Sequence, residues 1–302
     1  MTPLVALVAL ALDAVIGWPH ALFRRIGHPV TWLGRLIEVL DQRWNQGSLR
    51  VAKGMVAALA VIAAALIPAL ILQALLGPWI AGILAWPLVA ARSLHDHLRA
   101  VERPLAAGDL PAARQATAMI VGRDVTRSDE AALARASIES LAENASDGVV
   151  APLFWAAVAG LPGIAAYKAI NTLDSMIGHR TPRHEAFGNV AARLDDVVNL
   201  IPARLTGLLI AVAGWSRAAV TCAWQDAPGH RSPNAGWPEG AMAGALGVRL
   251  SGPRTYGDRI SAEPWLNGPA PDPTAQDLQA GITLYRRAVA ICGAVLMVLI
   301  AA

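Results

Sequence analysis

Charge is what this sequence has least of. Only 16% of its 302 residues are Asp, Glu, Lys or Arg, against roughly a quarter in soluble domains. Lysine is nearly absent, with Lys53 and Lys168 its only two copies. Cys222 and Cys292 are too few and too far apart for a disulfide framework or a metal knuckle. The net charge of +3 is small, and no basic run with interleaved aromatics occurs, so nucleic acid is not an expected partner. The sequence also lacks a GxxxxGK[ST] loop, a GxGxxG turn after a strand, a GxSxG elbow and an HExxH helix. Any nucleotide is therefore held by an unusual site.

What fills the chain instead is apolar. Hydrophobic residues make up 55% of it and the mean hydropathy is +0.44. No charged residue lies between Lys53 and Arg92, a run long enough for a helical hairpin turning near Gly77-Pro78, given about 20 residues per span. Its second arm, from Trp79 to Ala91, is short for a full crossing. Further candidates are Leu4 to Ile16 (with Asp13), Val149 to Ile170 (broken by Pro152, Gly160, Pro162 and Gly163), Val197 to Trp215 (with Arg204) and Ala288 to Ala302. The N-terminal segment has neither a basic flank nor a small-residue cleavage site, which argues against a removed signal peptide. The expected fold is all-α: a polytopic integral membrane protein with about four or five membrane helices and a polar helical region facing the cytoplasm.

Organisation follows from the same pattern. One membrane-embedded domain is expected over residues 1–302, with N-terminal membrane helices in 1–91 and a polar helical segment in 92–148. Broken apolar helices carrying polar motifs fill 149–215, a Gly/Pro-rich stretch fills 226–273, and a last helix covers 275–302. No internal repeat or strand alternation is evident. The stretch at 226–273 is long for a structureless loop, and Trp237 and Trp265 argue that it is ordered. Basic residues between His20 and Lys53 place that loop in the cytoplasm. The hairpin then returns Arg92 to Gly148 to the same side.

Polar residues crowd into 120–204, and each costs roughly 3 kcal/mol in hydrocarbon unless paired or wet. Ser128 reads as the N-cap of a helix reaching about Ser146, with acids in its first turn. On it Glu139, Glu143 and Asp147 share one stripe, with Arg135 one turn before Glu139. The plain alternative is a solvated helix face. Asn144, Ser146 and Gly148 lead straight into an apolar segment, however, so the stripe points toward a membrane-surface mouth suited to Mg²⁺. Lys168, Asn171 and Ser175 share a helix face, with Asp174, His179 and Arg180 just beyond. That lysine suits a phosphate or an acyl phosphate, the alternative being a side chain snorkelling to the interface. Asp195, Asp196 and Asn199 follow, and either acid can pair structurally with Arg204 instead of binding metal or substrate. His230, Arg231 and Asn234 lie in a short polar turn of the kind that wraps an anion, although such clusters are also ordinary turn chemistry.

Taken together, the strings LALDAVIGWP, HPVTWLGRLI, VGRD, IESLAENASDGVVAPLFW, YKAINTLDSMIGHR, ARLDDVVNLIPARL and HRSPNAGWPEGAMAGALGVRL resemble the adenosylcobinamide-phosphate synthase (CobD/CbiB) family. They stand in family order and cover nearly the whole chain. Trp18 departs from the pattern, because many members have an acid there, whereas Asp13 matches it. The resemblance implies a polytopic ligase of cobalamin biosynthesis in the inner cell membrane, its active site facing the cytoplasm. Such a ligase joins aminopropanol, or its O-phosphate, to a propionate carboxyl of adenosylcobyric acid, using ATP and Mg²⁺.

On that reading Lys168, Asp174, His179 and Arg180 are catalytic, while Glu143, Asp147, Asp195 and Asp196 are metal candidates. Asp124, Arg127, Glu139, Asn144, Ser146, Asn171, Ser175, Asn199, Arg204, His230, Arg231 and Asn234 bind nucleotide or substrate. The 226–273 stretch would embrace the corrin. His28, His179 and His230 are expected in packing or phosphate contact rather than on cobalt. Further expected partners are the bilayer, a second copy of the chain and other corrinoid-pathway enzymes. A non-catalytic transporter or sensor on the same fold is the alternative.

Overall fold

The computed structural model describes every residue except 257, 258 and 262, and the side chains of all but 254–262. Thirteen α-helices run along the chain among the described residues. They are α1 (Thr2–Ile16), α2 (His20–Ile26), α3 (Pro29–Trp44), α4 (Arg50–Ala85), α5 (Ala91–Ala106), α6 (Leu110–Ala118) and α7 (Glu130–Ala145). Then come α8 (Ala151–Leu173), α9 (Asn189–Val198), α10 (Leu200–Ala213), α11 (Arg217–Asp226), α12 (Gly236–Leu246) and, last, α13 (Ala275–Ala301). Four short strands precede α13: β1 (Leu250–Ser251), β2 (Arg254–Tyr256), β3 (Arg259–Ser261) and β4 (Trp265–Leu266). They pair antiparallel as β1 with β4 and β2 with β3. The stretch expected as a long ordered loop thus holds an eleven-residue helix, α12.

Among the described residues, three helical stretches are long and apolar enough to cross a membrane, Arg50–Ala106, Glu130–Gly178 and Ala275–Ala301. Two bent pairs, α1 with α2–α3 and α9 with α10, raise the number to five. The protein is an all-α, multi-pass membrane protein.

The chain divides into two compact units. The first comprises 1–90, 151–199 and 293–302. Its densest packing is a cluster of Ile37, Ala57, Ala58, Val61, Ala169, Leu173, Ile177, Phe187 and Ala191. Alanines at these positions let α4, α8 and α9 approach closely, which is how helices associate where lipid removes the hydrophobic drive.

Two helices of this unit are broken. Helix α4 breaks at Gly77, φ 71° and ψ 176°, just before Pro78, where the sequence places a turn. Helix α8 breaks at Gly160, φ 69° and ψ −148°, two residues before Pro162. A methyl group on Gly163 would collide with the carbonyl oxygen of Trp155. Eight residues of straight helix would hold those positions about 12 Å apart, so α8 folds back sharply on itself. The break frees the amide of Leu161, which donates to Gln73 Oε1 at 2.7 Å. A substituted Gly160 would strike that same side chain. Irregular backbone at membrane depth survives only with its polar groups satisfied inside the protein, and Gln73 supplies that partner.

The second unit comprises 91–150 and 200–292. Its centre is α7, whose Leu133, Ala134, Ile138 and Leu141 are fully buried. The N-cap of α7 is Asp129, which accepts the Ala132 amide at 2.8 Å. That corrects the expected cap at Ser128 by one residue; the Ser128 carbonyl is taken by Arg114 Nε at 2.9 Å.

Candidate functional site

A π-helical turn, Asp174–Gly178, follows α8 directly. Such turns insert one extra residue per turn and recur at functional sites. Here the turn carries Asp174, whose Oδ1 lies so close to Gly178 that a side chain there would collide with it. Asp174 is within electrostatic reach of His179, Asp195 and Asp196. Arg180 stands in the same relation to Asp196. One turn before the bulge, Lys168 Nζ donates to Asn171 Oδ1 at 3.0 Å. His28 is near enough to Lys168 to feel its charge.

A buried relay holds the acid on α9. Tyr167 OH donates to Asn199 Oδ1 at 3.0 Å, and Asn199 Nδ2 donates to Asp195 Oδ2 at 3.0 Å. The other oxygen, Asp195 Oδ1, is buried without a hydrogen bond of ordinary geometry, the Asn171 side chain standing beside it. A buried carboxylate oxygen with only such a partner is a candidate contact for a ligand. The first unit thus gathers Lys168, Asn171, Asp174, His179, Arg180, Asp195, Asp196 and Asn199. Ser175 belongs to the same turn, but its hydroxyl donates to the Asn171 carbonyl at 2.8 Å.

His28 caps α3: its Nδ1 accepts the Val30 amide at 3.2 Å and Thr31 answers at its backbone. Its ring meets Trp18 edge-on at 5.1 Å, and Trp18 meets Trp86 at 5.5 Å. The position where many members of the resembled family carry an acid is here part of an aromatic wall. Tyr167 escaped the sequence reading, although it neighbours Lys168 and is one of three tyrosines.

The remaining candidates lie in the second unit. Glu143 and Asn144 are exposed, Asp147 is half-buried and Ser146 is buried with its hydroxyl unpartnered. These residues surround a second π turn, Ser146–Val150. Asn144 Nδ2 donates to the Ser140 carbonyl at 2.8 Å. Of the four metal candidates, Glu143 and Asp147 belong to the second unit and Asp195 and Asp196 to the first.

Glu139 is committed elsewhere. Arg123 reaches its Oε2 at 2.9 Å and the Ser251 amide its Oε1 at 2.8 Å. Arg135, expected beside Glu139, instead pairs with Asp272. Arg249 grips that carboxylate through two bonds, of 2.9 and 2.6 Å. Those bonds hold the Asp272 carboxyl below the usual carboxylate range, aided by Arg135. Both guanidiniums also lie over the Trp265 ring, at 4.8 and 4.5 Å.

Arg204 donates to the Leu200 carbonyl at 2.6 Å and stacks over Trp237 at 4.6 Å. Those partners replace the acid expected for it, at Asp195 or Asp196. Asp124 accepts the Thr126 amide at 2.9 Å, which chiefly lowers its pKa, with Arg127 adding to the effect. His230 Nδ1 accepts the Ser232 amide at 3.1 Å, and its Nε2 is 3.8 Å from Glu239. Arg231 pairs with Glu263 at 3.5 Å, and Asn234 is buried. Part of the stretch expected around the corrin, at 257, 258 and 262, lies outside the described residues. Among the described residues, no three His, Cys, Asp or Glu side chains stand close enough to enclose a metal ion.

A family model described as CobD/Cbib protein matches residues 6–285. The chain belongs to the CobD/CbiB family. Curated relatives agree. The Cobalamin biosynthesis protein CobD of Rhodobacter capsulatus is 63% identical over 290 residues, covering 94% of this chain and 92% of its own length. Proteins of the same name from Sinorhizobium sp and Brucella suis are 46% and 45% identical, each over at least 90% of both chains. No solved structure matches. Two of the acid-bearing strings, ENASDG and NTLDSMIGHR, overlap the two π turns.

Proposed function

We propose that this CobD/CbiB protein acts in cobalamin biosynthesis as an ATP- and Mg²⁺-dependent ligase. It forms the amide between aminopropanol, or its O-phosphate, and a propionate carboxyl of adenosylcobyric acid. The observation that carries this reading is the buried cluster of Asp195, Asp174 and Asp196 beside Asn171, with Asp195 Oδ1 outside ordinary hydrogen-bond geometry. A carboxylate cannot be attacked by an amine directly. It first takes a phosphoryl group from ATP, releasing ADP; the amine then adds to the carbonyl and phosphate leaves. Lys168, His179 and Arg180 bind phosphate oxygens as charge builds on them. Asp195 accepts the ammonium of the incoming amine and takes its proton, positioned by Asn199 and Tyr167.

Mg²⁺ bound to nucleotide needs only one or two protein carboxylates, so the absence of a three-acid cage among the described residues fits a metal that arrives with ATP. Asp174 and Asp196 are the candidates to hold it, and the ion would neutralise phosphate charge. We place the protein in the inner cell membrane with this site toward the cytoplasm, where ATP is found.

The test is a ligation assay on purified membranes with adenosylcobyric acid, ATP, Mg²⁺ and either amine, read by mass spectrometry. A corrinoid product heavier by the amine residue supports the ligase and identifies the co-substrate. Tight corrinoid binding without product overturns it in favour of a carrier or sensor.

A further inference from the structure

A second candidate site lies wholly within the second unit. A cavity of about 450 Å³ opens beside Gly214, where α10 ends, and along one face of α13. That volume falls within the roughly 300–1,000 Å³ of small-ligand sites. From α13 it receives Gln276, Gln279, Thr283, Leu284 and Arg287, which helical spacing aligns on one stripe. No acid lines it. Asp277, on the same helix, is turned to Thr274, accepting its amide at 2.8 Å and its hydroxyl at 2.7 Å. The lining offers a guanidinium and two side-chain amides, donors that suit a phosphate oxyanion, while the Thr283 hydroxyl donates to the Gln279 carbonyl at 3.0 Å.

Its setting says which phosphate. Immediately after Arg286 and Arg287, α13 becomes uncharged to its end, with Val295, Met297, Val298 and Leu299 exposed. The arginine pair therefore stands where the helix enters hydrocarbon, the place at which basic residues meet anionic headgroups. The neighbouring backbone is strained at the same level. Helix α10 closes with the Ser216 amide bonded to the Ala211 carbonyl at 3.0 Å, a wrapped helix end that normally requires glycine at its left-handed position. This chain places Trp215 there, φ 47°, with the residue 91% exposed. An indole held out in a left-handed conformation is unfavourable twice over in water. At a bilayer interface its exposure becomes favourable, because tryptophan concentrates at headgroup depth, and backbone outliers of this kind mark functional positions. Helix α11 continues the surface: Arg217, Val220 and Trp224 form an exposed stripe, with Trp224 at 71%.

We infer that this cavity binds the headgroup of an anionic phospholipid, with Arg287 and the two glutamines on its phosphate and Trp215 against its glycerol backbone. The site is separate from the acid cluster on α8 and α9 and needs nothing from the ligase reading.

The test uses the full chain, purified in detergent and delipidated. Native mass spectrometry would count retained lipid after titration with phosphatidylglycerol, phosphatidylcholine or inorganic phosphate. Phosphatidylglycerol should bind more tightly than phosphatidylcholine, whose choline cation offsets the phosphate charge, and Arg287→Gln should weaken phosphatidylglycerol binding at least about tenfold, since one charge-assisted contact is worth about that factor. Trp215→Gly guards against misfolding: glycine relieves the left-handed strain, so lipid-free thermal stability should hold or rise while phosphatidylglycerol affinity falls. Equal phosphatidylglycerol binding by Arg287→Gln and the parent protein overturns the inference. Displacement of the lipid by millimolar inorganic phosphate, making this a free-phosphate site, also overturns it.

Discussion

Two groups of carboxylates, one in each unit, are treated in opposite ways. Glu139 and Asp272 have their oxygens claimed by Arg123, the Ser251 amide, Arg135 and Arg249. Asp174, Asp195 and Asp196 stand together around a π turn, with a buried oxygen left open. Breaking a closed pair strands a charge and destabilises the fold, whereas an open oxygen can be removed with little structural loss. Both sets look alike in sequence, as acids among apolar residues. Their partners separate them: arginines and a backbone amide take up Glu139 and Asp272, whereas Asp174, Asp195 and Asp196 face one another.

Substitutions at the open group should break that contrast most sharply. Asp195→Asn and Lys168→Ala should each lower ligation at least about a hundredfold, the usual consequence of removing a group that meets transition-state charge. Membrane insertion and thermal stability should stay near those of the parent. Turnover within threefold of the parent protein in either variant would return these residues to structure. At the closed group the expectation reverses. Glu139→Ala should destabilise by about 3 kcal/mol, the scale for breaking a buried ion pair, seen as lost folded yield in detergent. A fully stable but inactive Glu139→Ala protein would move that acid into the site.

Gly178→Ala tests whether the position of Asp174 matters rather than its mere presence. The added methyl drives the carboxylate aside, and about a tenfold loss of turnover is expected, as for a 1 Å misplacement at reduced severity. Thermal stability should change far less, and unchanged turnover would show that the carboxylate is free to move. The smallest effect is expected at Asp272. Its folded pKa is depressed, so the stability it contributes is present at neutral pH and is lost as pH falls through that value. Because both partners are about one-third exposed, the contribution should be under about 1 kcal/mol. Asp272→Asn should flatten the acid limb of a thermal-denaturation profile by that amount.

Much of the fold was legible beforehand. Hydropathy gave the membrane class, and Gly/Pro pairs at Gly77-Pro78 and around Gly160 marked the helix breaks, because the positive φ with extended ψ found at both is essentially confined to glycine. Lys168 and Asn171 were brought together by simple helical spacing, and they do bond. A π turn, Ser146–Val150, begins just before Asp147, and 3.6-residue periodicity carries no trace of it. Spacing also mispaired Arg135 with Glu139. Long-range partners from near Arg123 and Asp272 won, and a single sequence offers no measure of such contacts. Arg204 found a carbonyl and an indole instead of an acid, which stacking energetics permit but do not announce.

The fold-back in α8 also bears on how the protein must be counted. A segment that enters and leaves on one face contributes nothing to the parity of the membrane topology, despite scoring as a span by composition. Reporter enzymes fused after Ala151 and after Gly178 would then report the same compartment, and a hydropathy tally that credits this segment as a crossing would invert the assignment of everything downstream. The break at Gly160, with the freed Leu161 amide taken up by Gln73, is the feature such a fusion pair would test.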